Sequence, residues 1–334
     1  LKPFNELDLV AWIKAHHSDK SCDIILGIGD DCAAIKPARG KIMLVTTDTL
    51  TEGVHFSRES APPRTLGGKC AAVNISDIAA MGGQPRYALL SPCFPKGLPV
   101  KWVKDFLIGF HETLAQYGCI LIGGNVSSAK DWISVTVTVM GDIAEKRIVK
   151  RDGAKPGDLI YITGTVGDST LGLDLLLSGR NPLDKTEKYL VSRHLSPTPR
   201  VDWGMLIAEK YLATAMIDVS DGLALDLARL VESSKVCADV LLDTIPLSVP
   251  ATKMLAGMGQ DDGWRRILNG GEDYELLFTV HPKKEGQLKK LIGSGKIVAS
   301  KIGCVTDGAK PKINFFHSSG RLLKVSEYGY VHDL

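Results

Sequence analysis

Apolar positions recur along this chain in two rhythms. WISVTVTVMGDI, residues 132–143, sets Ile133, Val135, Val137 and Val139 on every second position, the period of a strand with one face in a core. KIMLVTTD, RYALLSPCF, LIYITGTVG, TAMIDVS, YELLFTV and KIVASKIGCV are short, apolar and rich in β-branched residues, and read as further strands. In VKWVKDFLIGFHETLAQYG the apolar residues return at three- and four-residue steps, and Gly118 follows as a stop, which predicts a helix over 100–117. The same rhythm predicts helices over 4–16, 64–81, 199–211, 222–235 and 283–293. Strands and helices are mixed without strict βαβ alternation, so the fold class is α+β, in the sense of a mixed α/β chain.

With 334 residues the chain is long for one hydrophobic core, and two domains are expected. The polar turn KRDGAKPGD, residues 150–158, carries Gly and Pro between two strands and marks a boundary, giving domains 1–149 and 150–334. A hairpin loop has the same composition. Apolar residues make up 44% and charged residues 23%, an ordinary globular balance, and a net charge of +2 gives no case for nucleic-acid binding. Seven cysteines (Cys22, Cys32, Cys70, Cys93, Cys119, Cys237 and Cys304) are widely spaced and form no CxxC. That pattern argues for reduced thiols and a cytoplasmic setting, against a disulfide framework or a zinc site. LKPFNELDLVAWIKAHH is charged throughout and does not read as a signal peptide, and no run approaches the roughly 18 apolar residues of a membrane span.

The candidate chemistry is acidic. Asp30 and Asp31 stand side by side in GIGDDCA, Asp48 in VTTDTLTEGVHF, Asp77 in NISDIAAMGG, Asp218 and Asp221 in IDVSDGL, and Glu272 and Asp273 in NGGEDYELL. Each taken singly is equally a turn residue or a helix cap. Taken together, beside the hydroxyls of Thr46, Thr47 and Ser220, they suit a hard cation such as Mg²⁺, which takes oxygen ligands. Carboxylate-bound Mg²⁺ most often serves a phosphate substrate. Gly-rich stretches such as IGGN and NGGED let backbone come close to a ligand. Neither G-x-x-x-x-G-K-[ST] nor G-x-G-x-x-G opening a helix occurs, so a nucleotide would be held by metals and an uncommon loop set. NISDIAAM and DVSDGLAL share Ser-Asp in similar surroundings, which reads either as two ordinary helix caps or as two related halves, each placing an Asp at a helix N-terminus.

In order along the chain, GIGDDCA, TTDTLTEGVHF, NISDIAAMGG, IGGNVSS, RDGAKPGD, IDVSDGL and GGEDYELLF resemble the motif series of the thiamine-monophosphate kinase family. The likeness runs from about residue 26 to GYVH near the end. The wider superfamily includes aminoimidazole ribonucleotide synthetase. The resemblance implies a two-domain fold of that superfamily, with N-terminal strands forming a barrel-like dimer interface and a C-terminal domain completing an active-site cleft. It implies transfer of the ATP γ-phosphoryl group to thiamine monophosphate in a homodimer that uses several Mg²⁺ ions. It assigns Asp31, Thr46, Thr47, Asp48, Asp77, Asn125, Asp218 and Asp221 to metal. Gly124, Asn125, Arg151 and Ser220 face ATP, and His55, Glu272 and Tyr330 face thiamine monophosphate. Two departures stand out: Asn125 replaces the Asp of the family's GGD, and GYVHDL replaces the commoner GYDHF. Alternatives are another ATP-using enzyme of the superfamily and a non-catalytic nucleotide or thiamine-phosphate sensor.

Overall fold

Two strands paired over their whole length organise the first part of the chain. The computed structural model describes residues 6–16, 21–28, 32–180, 184–325 and 329–330. It divides into two compact units, one of Leu1–Ile78 with Gly83–Lys146 and one of Ala79–Gly82 with Arg147–Leu334.

The first unit contains α1 (Glu6–His16), β1 (Ile24–Leu26), β2 (Ala34–Ile35), β3 (Lys41–Thr51), most of α2 (Pro63–Ala80), β4 (Gln84–Pro95), α3 (Val100–Gln116), β5 (Ile120–Gly124), β6 (Ser127–Ala129) and β7 (Ser134–Ala144). Its main sheet runs β3-β7-β4-β5, with β6 also paired to β4. β3 and β7 are antiparallel from Lys41↔Ala144 to Thr51↔Ser134 without a shift in register. Ile133, Val135, Val137 and Val139 are fully buried, as their period predicts. Leu44 and Leu50 on β3 are buried as well, and the next residues in the alternation, Met43 and Val45, face outward at 49% and 62% exposure.

The second unit contains β8 (Leu159–Thr163), α4 (Asp168–Leu177), α5 (Lys185–Leu195), α6 (Val201–Glu209), β9 (Ala213–Asp218), α7 (Leu223–Ser234), β10 (Cys237–Leu241), α8 (Val249–Leu255), α9 (Gln260–Asn269), β11 (Leu276–Val280), α10 (Pro282–Gly293), β12 (Ala299–Thr306), β13 (Ile313–Phe316) and β14 (Leu322–Leu323). Seven strands lie in the order β14-β13-β10-β12-β8-β11-β9. Only β10 and β13 are parallel, and the remaining neighbours are antiparallel, so the sheet is mixed as the α+β reading expects. Ile160, Ile162, Ile217 and Leu277 from the sheet pack with Leu223 and Leu227 of α7 and Ile267 of α9 in one buried cluster.

Two expectations are corrected here. LIYITGTVG leaves the sheet at Thr163, and Asp168 opens α4 shortly after. Ser76 and Asp77 do not open a helix: they lie inside α2, whereas Asp221 sits in the turn before α7. The shared letters therefore occupy unlike positions, and the likeness between the two segments does not extend to structure. No helix among the described residues is long and apolar enough to cross a membrane.

α2 and α3 cross at glycines. A Cβ added to Gly109 would overlap the backbone carbonyl of Arg64, and one added to Gly67 would overlap that of Phe106. Because the obstacle is backbone, the helices must part to admit a methyl group. Gly109→Ala should destabilise the protein by ~3 kcal/mol. Urea unfolding measures this, and a variant as stable as the wild type would refute the close crossing.

Candidate active site

In the first unit the acids gather where β3 faces α2. Thr46 and Asp48 occupy the same side of β3 as the buried Leu44 and Leu50. Asp77 reaches that side from the last turns of α2, and Thr46 Oγ1 donates to its Oδ2 at 2.5 Å. Asp48 lies in the strand interior, opposite Val137, and not at a strand end. Thr47 points to the opposite face, where its hydroxyl meets Val137 O at 3.1 Å and Thr138 Oγ1 at 3.0 Å. The period of the strand thus separates the Thr47 hydroxyl from the carboxylates with which the sequence grouped it. Asp30 and Asp31 lie outside the described residues.

His55 follows in the turn after β3. Thr51 N–H donates to its Nδ1 at 3.0 Å, so the neutral ring carries its proton on Nε2. Arg58 holds that turn with a bidentate pair to Glu52, at 2.8 and 2.9 Å. Gly124 ends β5 with φ +152°, and a Cβ there would overlap Leu90 O. Asn125 N–H donates to the same oxygen at 3.1 Å, and its side chain is exposed.

In the second unit the sheet delivers Asp218 to the end of β9, buried at 5% exposure. The turn that follows is shaped by a residue the sequence reading passed over. Asp226, in the first turn of α7, accepts the N–H groups of Ser220, Asp221 and Gly222 on one carboxylate oxygen, at 3.0, 3.0 and 3.2 Å. Burial, then the nearby Asp221 charge, pushes the Asp226 carboxyl up to about 6, against Arg229 and the backbone donors. Arg229 bridges Asp221 and Asp226 at 2.5 and 2.7 Å. Glu272 N–H donates to Ser220 O at 2.7 Å and Tyr330 N–H to Asp221 O at 3.1 Å, so two of the three sequence-predicted substrate residues adjoin this turn. Arg151 stands apart as an exposed residue whose carbonyl accepts from Ser234 Oγ at 3.0 Å.

Among the described residues no group of three or more His, Cys, Asp or Glu side chains is assembled as a metal site. The donors that are present fit a hard divalent cation by type. Thr46, Asp48 and Asp77 in one unit and Asp218 and Asp221 in the other offer oxygen alone.

Comparison with known proteins places this geometry. Residues 29–143 match the N-terminal domain of AIR synthase related proteins, and residues 155–315 match the C-terminal domain. A thiamine-monophosphate kinase of Buchnera aphidicola subsp. Schizaphis graminum is 40% identical over 311 residues, which is 92% of this chain and 93% of its own. The chain belongs to the thiamine-monophosphate kinase family. Solved structures agree. The thiamine-monophosphate kinase from Stenotrophomonas maltophilia K279a superposes with a TM-score of 0.81 at 34% identity, covering 94% of this chain and 96% of that one. AaThiL, complexed with AMPPCP and TMP, superposes with a TM-score of 0.77 at 36% identity, covering 100% and 98%.

One carboxylate of the kinase-family motif GGEDYELLF has a structural duty. Asp273 is 2% exposed and accepts from Gly167 N–H at 2.7 Å and Ser169 N–H at 3.3 Å, so it caps the start of α4. Burial pushes its carboxyl up to about 8, against the two N–H donors. An unfolded Asp titrates near ~3.9, so between about pH 4 and about pH 8 the native state holds a proton that the unfolded state lacks. This group's contribution to stability is therefore complete below about pH 4 and is lost as the pH rises through about 8, at up to ~1.4 kcal/mol per pH unit. Asp273→Asn cannot titrate, and the stability difference should move in its favour as the pH rises through that window. Parallel stability curves for the two proteins would exclude the raised pKa.

Proposed function

We infer that this chain is a thiamine-monophosphate kinase that transfers the γ-phosphoryl group of ATP to thiamine monophosphate, giving thiamine diphosphate and ADP. The observation that carries the reading is the full-length likeness to AaThiL, whose complex holds AMPPCP and TMP, at 36% identity. The carboxylate sets of the two units support it.

The acceptor is a phosphate monoester with a second pKa of roughly 6, already largely dianionic at neutral pH, so the reaction needs no strong general base. The obstacle is the approach of one polyanion to another. Mg²⁺, when bound, neutralises that charge and favours in-line transfer. Several such ions are expected: Asp31, Thr46, Asp48 and Asp77 are the candidate ligands of the first unit, with Asn125 as a neutral oxygen donor, and Asp218 and Asp221 are those of the second. Gly124, Arg151 and Ser220 serve ATP. His55 offers Nε2–H to thiamine monophosphate, Tyr330 an aromatic face, and Glu272 a carboxylate suited to the thiazolium cation. Transfer is direct, without a phosphoenzyme. With Mg²⁺ and both substrates, wild type should form thiamine diphosphate, and Asp48→Asn and Asp77→Asn should each lose about 100-fold or more in kcat. Chromatography of the products decides. A folded, ATP-binding wild type that forms no thiamine diphosphate would defeat the assignment.

We also propose a cytoplasmic homodimer built on the outward face of the first sheet. β3 is an edge strand, and the exposed Val45 lies in register with Met140 and Tyr87 across β7 and β4, with the exposed Met43 two residues along opposite Asp142. A long exposed edge carrying such a face is a liability unless covered. Val45→Lys should convert a dimer to a monomer in light scattering. A monomeric wild type, or a variant that remains dimeric, would rule this face out.

A further inference from the structure

The backbone and the carboxylate of Glu272 are fixed by different means. Glu272 N–H donates to Ser220 O at 2.7 Å, Tyr274 N–H to Val219 O at 2.9 Å, and Val219 N–H to Glu275 O at 2.8 Å. The segment meets these bonds with φ +65° at Glu272 and +51° at Tyr274, a region that side-chain-bearing residues rarely adopt. The approach needs glycine at 271, where a Cβ would overlap Ser220 O. Backbone strain at a place like this points to a side chain whose position matters.

Those bonds fix the backbone and leave the three side-chain torsions to be set by other contacts. One such contact comes from a histidine far away in sequence. Glu272 Oε2 lies 3.1 Å from Nδ1 of His194, in the last turn of α5, and the His194 residue is 5% exposed. Ser169 Oγ, in the first turn of α4, lies 3.1 Å from the same nitrogen. Ser169 is itself anchored, its N–H donating to Asp273 Oδ1 at 3.3 Å. An ionised carboxylate only accepts, so the Glu272 contact requires the proton on Nδ1, with Ser169 Oγ as a second acceptor. The Glu272 side chain keeps 24% exposure, so this buried chain ends on a partly exposed residue.

We propose that His194 is a positioning residue for substrate recognition, whose Nδ1–H aims the Glu272 carboxylate at the cationic part of the acceptor. The inference rests on the reading that Glu272 meets thiamine monophosphate. A histidine that merely filled the core would serve with either ring nitrogen protonated. A positioning histidine needs the donor at Nδ1.

That difference makes the test. Asn places an N–H near the Nδ1 position, and Gln places one near Nε2. Wild type, His194→Asn, His194→Gln, Glu272→Gln and the His194→Gln/Glu272→Gln double variant are compared by steady-state kinetics, varying each substrate, and by calorimetric titration with thiamine monophosphate. His194→Gln should raise KM for thiamine monophosphate roughly tenfold while KM for ATP and kcat stay within about twofold. His194→Asn should stay within about threefold of wild type, and His194→Gln should add nothing once Glu272 is Gln. Equal losses in the Asn and Gln variants, a parallel rise in KM for ATP, or additive effects in the double variant would each overturn the proposal. A wild type that neither binds nor phosphorylates thiamine monophosphate would remove the substrate reading and this inference with it. Wild-type binding that His194→Gln leaves unchanged would remove the inference alone.

Discussion

The unbroken register between β3 and β7 is the constraint on which the first unit depends. Side chains alternate strictly along a strand, so a slip of one residue would exchange the two faces. Thr46 and Asp48 would then point outward, and Val45 and Thr47 would point toward α2. Eleven residues pair from Lys41 to Thr51 without a bulge, and the buried Leu44 and Leu50, facing the same core as Val135, Val137 and Val139, penalise every one-residue slip. The position of a carboxylate is thus secured by hydrophobic burial two residues away, more firmly than the carboxylate could secure itself.

The second unit solves a harder problem, because it buries its charges. Glu275 is fully buried beneath the sheet end and accepts from Thr163 Oγ1 at 2.7 Å, from Arg193 at 3.1 Å and from Arg200. Such a cluster is costly to dehydrate and stays favourable only while every partner remains. Arg193 and His194 are neighbours on α5, so one helix turn both neutralises Glu275 and reaches Glu272. Neutralising one buried carboxylate and meeting its partly exposed neighbour here fall to adjacent residues.

Much of this was legible in the sequence, and the exceptions have physical causes. The long periodic elements, such as α3 and β7, follow from spacing alone because each exposes one face to the core and one to solvent. α4, with DSTLGLDLLL, lacks a polar face and follows directly on a strand-like run, so its pattern carries no helical period. α9, with QDDGWRRILN, is short and polar, and its start is marked by glycine instead of a side-chain cap. The acids of the motifs were legible by type, but their roles divided only in three dimensions. Asp273 caps a helix while Glu272 beside it meets His194. Thr47 leaves the group that Thr46 joins. His194 and Asp226 gave no local signal, because what defines them is proximity to residues elsewhere in the chain or to backbone N–H groups.

The turn before α7 has one further consequence. The start of a helix ordinarily attracts phosphate, through unpaired N–H groups and the positive end of the dipole. In this protein the carboxylate of Asp226 already occupies that place and takes three of those N–H groups. An internal carboxylate has filled the site from within. With Arg229 paired to both Asp221 and Asp226, the turn presents oxygen acceptors where the same backbone, left open, would have presented N–H donors.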